Sequence, residues 1–208
     1  MSRPRDMDLW RGCSSSLREP VSQDDRQKVE YWVRRLPLYN DNLVFRSSLN
    51  DRDMCQHVFR WDRRPYQELF LNGFRASRQE NIGDDTYMSL ERYVNYGGRP
   101  LSSRRKTNYV FISTTISNKW HPTVNPGTNV TVYRYEIYAP GGILVAATLG
   151  KRYKYPSQDE VCFVDGIAPQ YIRSAQAFTL SFPADARLPI PPYIHMHINI
   201  FGRPKPSN

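Results

Sequence analysis

The sequence lacks most of the marks of a disulfide scaffold, a zinc protein or a membrane protein. Its three cysteines, Cys13, Cys55 and Cys162, are odd in number and share no regular spacing, which argues against a disulfide framework and against a CxxC-type metal site. No hydrophobic run approaches the length that spans a bilayer, so no membrane partner is expected. The opening residues lead into no apolar signal-peptide core, and Asp6, Asp8 and Glu19 do not suit a transit peptide; the expectation is an intracellular protein of the nucleus, the cytoplasm or both. Histidine is scarce, at 4 residues. His195 and His197 share a face at strand spacing, but no Cys, Asp or Glu cluster accompanies them, and no metal is expected. There is no internal repeat, and a monomer is expected.

Tyrosine, at 14, and proline, at 16, are plentiful, a balance that favours short strands and turns over a helical bundle. The formal net charge is +9 and the sequence pI is about 9.6. Two readings stand side by side: a basic surface that keeps the chain soluble, or a polyanionic partner, nucleic acid before membrane.

Residues 1–50 form a polar extension, with one amphipathic helix over Gln23–Leu36 that Ser22 suits as N-cap and whose apolar face carries Val29, Trp32, Val33 and Leu36. Residues 51–208 form the main domain. Strands are predicted at His57–Trp61, Asn108–Thr115, Val130–Tyr138, Ile143–Thr148, Glu160–Val164, Ile172–Phe182 and Ile194–Phe201. Short helices are predicted at Tyr66–Leu71, with Asn72-Gly73 as stop, and at Leu90–Tyr96, while 75–89 and 150–158 read as loops. Cys162, inside the apolar run Val161–Val164, reads as a buried thiol. The fold class is α+β, with a two-sheet β core and a few flanking helices.

Three patches carry chemistry. The first is Val58-Phe59-Arg60-Trp61-Asp62-Arg63-Arg64-Pro65, followed by Phe70-Leu71-Asn72-Gly73-Phe74. The second is Tyr109-Val110-Phe111-Ile112-Ser113-Thr114-Thr115, and the third is Gln158-Asp159-Glu160, trailed by Ile167-Ala168-Pro169-Gln170-Tyr171-Ile172-Arg173. In this order, over residues 56–182, they resemble the Arg-Ser-Glu class of mono-ADP-ribosyltransferases, which includes the pierisin and scabin enzymes and the catalytic subunit of pertussis toxin. The resemblance implies the ADP-ribosyltransferase fold, a catalytic domain over 51–208 and NAD as co-substrate. It also implies a site in which Arg60, Asp62, Arg64, Ser113, Thr114 and Glu160 surround NAD.

The residue types fit those roles. Arg60 offers a planar fork of donors to phosphate or ribose oxygens. Arg64 stands as either a second phosphate contact or the partner of Asp62. A carboxylate at Glu160 accepting from the ribose 2-hydroxyl stabilises the cation that develops as the glycosidic bond breaks. Ser113 would orient that carboxylate, and Thr114 would stiffen its strand.

The acceptor is read from Gln158 and the loop before it. Relatives that modify arginine resemble Glu-x-Glu, whereas Gln158 is neutral and suits a base amine, an amide or a thiol. The loop Gly150-Lys151-Arg152-Tyr153-Lys154-Tyr155 is basic and aromatic. It is either a solvated edge or a nucleic-acid contact in which Lys154 meets phosphate and Tyr153, Tyr155 and the more distant Trp120 stack on bases. The resemblance to pierisin and scabin implies guanine in DNA, or a guanine nucleotide, as the acceptor. The alternatives are a protein-directed transferase acting on a non-arginine side chain and a catalytically silent NAD- or nucleic-acid-binding module.

Overall fold

The computed structural model describes residues 23–45, 55–97, 108–122, 128–182 and 194–198. Ser22 and Cys13 in the extension, and the basic stretch 102–106, lie outside them. So do the side chains of His195 and His197, although their strand is present.

The described strands are β1 Cys55–Asp62, β2 Phe74–Arg75, β3 Phe111–Thr115, β4 Thr128–Pro140, β5 Ile143–Leu144, β6 Glu160–Val164, β7 Gly166–Ile167, β8 Ile172–Phe182 and β9 Ile194–Ile198. Seven run in the order β5-β6-β3-β1-β4-β8-β9, and β2 pairs with β7 separately. All the pairings are antiparallel. The long sheet is nearly cut in two, because β1 meets β3 at one residue pair, Phe59 opposite Thr115. A ladder of three strands and one of four are therefore joined at a point, the form that the expected two-sheet core takes here. The architecture is α+β, as expected.

Alternation sets the burial of β4. Tyr135, Ile137 and Ala139 pack with Val58, Leu69, Phe70 and Phe74, while Val132 packs with Trp61 and Phe178. The helix α2, Tyr66–Asn72, supplies Leu69 and Phe70 and ends at Gly73. Gly73 has φ +67°, and a Cβ there would stand 2.3 Å from the carbonyl oxygen of Ile167. Gly166 faces the same constraint, since its Cβ would meet the carbonyl oxygen of Phe74 at 2.4 Å. Only glycine allows β2 and β7 to cross so closely.

The helix α1, Gln23–Arg35, forms as the sequence predicts and runs into a 3-10 turn at Leu36–Leu38. Leu36 is fully buried in the core and Trp32 packs against it. Lys28 pairs with Asp165 at 2.9 Å, and Phe45 bridges to Ile143.

Three elements differ from the sequence reading. The run Ile143–Thr148 is a strand only at Ile143–Leu144 and then a helix, α5, over Val145–Leu149. Ala146 and Ala147 favour helix, and Gly150, at φ +53°, stops it. The loop 75–89 contains a helical turn, α3, Asp84–Tyr87, whose Asp84 accepts from Arg35 and Arg78. The helix expected at Leu90–Tyr96 is regular only at α4, Leu90–Arg92, and continues as a π turn over Tyr93–Gly97. That turn aims Tyr93 and Asn95 inward.

Candidate active site

Where the two ladders part, the edge of β3 facing β1 has backbone groups with no strand opposite. Buried amides and carbonyls need partners, and at Ser113 side chains supply them. The Ser113 N–H donates to the Tyr93 phenol oxygen at 2.9 Å, and the Ser113 carbonyl accepts from Arg60 Nη1 at 2.5 Å. Arg60 thus reaches across the seam from β1. Tyr93 is buried, and burial pushes its phenol well above the usual tyrosine range, so it remains a neutral hydroxyl.

Glu160 opens β6 opposite Thr115. It is 7% exposed, and burial drives its carboxyl above the ordinary glutamate range. Hydrogen bonds from Ser113, Tyr153 and Cys162 and the charge of Arg60 pull it partly back. The Tyr153 hydroxyl donates to Oε2 at 2.7 Å, and the Cys162 thiol donates to Oε1 at 3.6 Å. Burial, then the nearby Glu160, hold that thiol well above its usual range, so it stays protonated. The carboxylate is therefore gripped by neutral donors and keeps lone pairs for a ligand hydroxyl. Arg60, Ser113 and Glu160 meet in one place, as the sequence requires.

Around Arg60 the structure shows one of the two readings of Arg64, its pairing with Asp62. Arg64 closes on Asp62 through its backbone N–H and Nε to Oδ1, both at 3.0 Å, and Nη2 to Oδ2 at 2.8 Å. The Arg–Asp pair is formed. Burial raises the Asp62 carboxyl, but the hydrogen bonds of Arg64 and the charges of Arg60 and Arg64 outweigh it, and the net shift is downward. Asp62 also receives Arg60 Nη2 at 3.4 Å, so its part in the site is to anchor the two guanidiniums. Both lie over the buried Phe74 ring, at 5.1 and 5.5 Å. The Arg60 Nε is buried with no partner. An orphaned donor of that kind fits a ribose or phosphate oxygen of a bound dinucleotide.

Thr114 does not join the cofactor group. It is buried, and its hydroxyl donates to the Val161 carbonyl at 2.7 Å, cross-linking β3 to β6. Its neighbour Thr115 donates its hydroxyl to the Gln158 carbonyl at 2.6 Å and fixes the start of the acceptor motif.

In the loop before Glu160, Tyr153 has no free face for a base. It is 5% exposed and turned inward to the carboxylate, which corrects its assignment as a stacking residue. Tyr155 is 45% exposed. Lys154 sits over the exposed Tyr96 ring at 3.9 Å. Gln158 is half-buried at the head of the motif, and Asp159 takes the left-handed conformation, φ 46° and ψ 49°, that turns the chain into β6. Trp120 is not brought to this group. It packs with Trp61, Val132 and Phe178, and its carbonyl accepts from Trp61 Nε1 at 3.1 Å. Trp61 lies on the face of β1 opposite Arg60.

Tyr93, Asn95 and Thr115 were not singled out from the sequence. The first two sit in a π turn that no periodicity announces, and Thr115 reads as ordinary strand.

Comparison with known proteins agrees with this geometry. A family model described as Scabin-like matches residues 58–184. Pierisin from Pieris brassicae is 36% identical over 135 residues, covering 60% of this chain and 14% of that protein. A guanine-specific ADP-ribosyl transferase from Streptomyces coelicolor is 31% identical over 121 residues, covering 58% of this chain and 51% of that protein. The solved catalytic domain of the mosquitocidal toxin from Bacillus sphaericus superposes with a TM-score of 0.51 at 28% identity, over 82% of this chain and 66% of that one. The chain thus spans only a small part of pierisin and about half of the Streptomyces relative. Because the matched segment holds the strands of Arg60, Ser113 and Glu160 and the glycine crossing of β2 and β7, the chain belongs to the Scabin-like family.

Proposed function

We propose that this chain is a mono-ADP-ribosyltransferase that cleaves NAD and transfers ADP-ribose to guanine, in DNA or in a guanine nucleotide. The observation that carries the reading is the convergence of the Arg60 guanidinium, the Ser113 hydroxyl and the Glu160 carboxylate at the seam. Arg60, with an unpaired buried Nε, grips the phosphate or ribose oxygens of NAD. Glu160 accepts from the ribose hydroxyl and stabilises positive charge as the bond between ribose carbon and nicotinamide nitrogen breaks. The bonding pair leaves with nicotinamide, which departs neutral. The exocyclic amine of guanine supplies the pair for the new bond and then gives its proton to water. Gln158 offers that amine both an acceptor and donors without a charge.

The acceptor is supported by Gln158, by the exposed Tyr155 beside Lys154, by the +9 charge and by the guanine-specific name of the Streptomyces relative. The test is incubation with labelled NAD and, separately, guanine nucleotide, DNA or cell lysate. Label on guanine, absent with Glu160→Gln, is the expected outcome. Label on protein alone would overturn the acceptor, and no nicotinamide release at all would overturn the transferase.

A further inference from the structure

Asn95 lies on the π turn and is buried. Its side-chain amide makes two hydrogen bonds to the acceptor loop. Nδ2 donates to the Arg152 carbonyl at 2.8 Å, and Oδ1 accepts from the Lys154 N–H at 3.0 Å. The two backbone groups flank Tyr153, and only a side chain with both a donor and an acceptor can bridge them. Tyr153 in turn donates to Glu160 at 2.7 Å. The same turn carries Tyr93, which holds the Ser113 N–H, so one short element braces both neighbours of the carboxylate.

We infer that Asn95 and Tyr153 form a positioning relay for Glu160: the amide clamps the backbone on either side of Tyr153, and the phenol fixes the carboxylate. The activity readout of this relay rests on the transferase reading above. The groups that face Glu160 are Arg60 from β1, Tyr93 from the π turn, Ser113 from β3, Tyr153 from the loop and Cys162 from β6. Of the neutral donors among them, Tyr153 stands at 2.7 Å from the carboxylate, well inside the 3.6 Å of Cys162. Its loss disfavours the ionised carboxylate, so Glu160 must titrate at higher pH without it.

The experiment uses the full chain with Tyr153→Phe, which keeps the buried ring and removes only the hydroxyl. Nicotinamide release from NAD is followed against pH, and the Glu160 carboxyl is titrated by carbon-13 NMR. We expect kcat to fall about tenfold, the KM for NAD to hold, and both the acid limb and the carboxyl midpoint to move to higher pH. Asn95→Ala should move both in the same direction, and the double variant should lose little beyond Tyr153→Phe, because the two act in series. If Asn95→Ala does not fold by circular dichroism, Tyr153→Phe decides alone. An unmoved carboxyl midpoint overturns the relay, as does a loss that is equal at every pH and accompanied by a raised KM. A wild-type protein that releases no nicotinamide overturns the transferase reading, while the carboxyl midpoint still judges the relay.

Discussion

Glu136 and Glu160 are both buried, and their surroundings differ in kind. Glu136, on β4, has a partner on each oxygen: His57 Nε2 at 2.9 Å on Oε1 and the Ser174 hydroxyl at 2.9 Å on Oε2. His57 is stacked on Tyr138 with ring centroids 4.4 Å apart, and the group closes on itself between β1 and β8. Glu160 has a phenol, a thiol and a hydroxyl for company, a guanidinium nearby, and a carboxyl raised by burial. The difference is one of place rather than of donor number: Glu136 lies between two long paired strands, whereas Glu160 opens its strand where the ladders part, near Arg60. A carboxylate that serves a reaction is held buried at such an opening, at a cost in stability.

The sharpest way to break this contrast is Glu160→Gln. Nicotinamide release should fall about a thousandfold, with the thermal midpoint unchanged or raised; retained activity would end the assignment. Arg60→Lys comes next. It keeps the charge but loses the planar fork, so the KM for NAD should rise about tenfold to a hundredfold, measured by initial rates.

The pH dependence is subtler and has a definite sign. The Glu160 carboxyl is raised in the folded state, so the active ionised form accumulates as pH rises. The acid limb of kcat/KM should then lie above the ordinary glutamate range. For stability the same shift acts in reverse. Glu160 favours the fold below its unfolded pKa of about 4.3, and that contribution is lost as pH rises through the folded value. Melting curves should therefore show Glu160→Gln gaining on the wild type as pH is raised across this window.

The smallest effect belongs to Glu136→Gln. Transfer should be unchanged, and chemical denaturation should show a loss of about 1 kcal/mol, a modest figure because His57 is half-exposed and screened by solvent.

Much of the site was legible because its parts are local. Arg60, Ser113 and Glu160 each sit in a strand whose alternation and flanking turns can be read directly, and their order along the chain suggested convergence. The long-range parts were not legible. Tyr153 stands in a basic loop and looks like a surface aromatic until the fold shows it turned toward Glu160. Asn95 acts through a π turn, which has no hydrophobic signature. The strand predicted over Ile143–Thr148 failed for an instructive reason. The run Ile-Leu-Val-Ala-Ala-Thr suits either state, and the chain leaves the sheet after Leu144 pairs with Val161. Had β5 continued by one residue, Val145 would lie opposite Glu160, where Tyr153 now reaches the carboxylate.

The single pair that joins β1 to β3 has a mechanical consequence. Cohesion between the halves of the long sheet passes largely through side chains, and Arg60 is one that a dinucleotide would also engage. A bound NAD spanning Arg60 on one half and Glu160 on the other would act as a staple, so occupancy should slow amide exchange along β1 and β3 together. In such a design the substrate completes the fabric of the protein as well as filling its cleft.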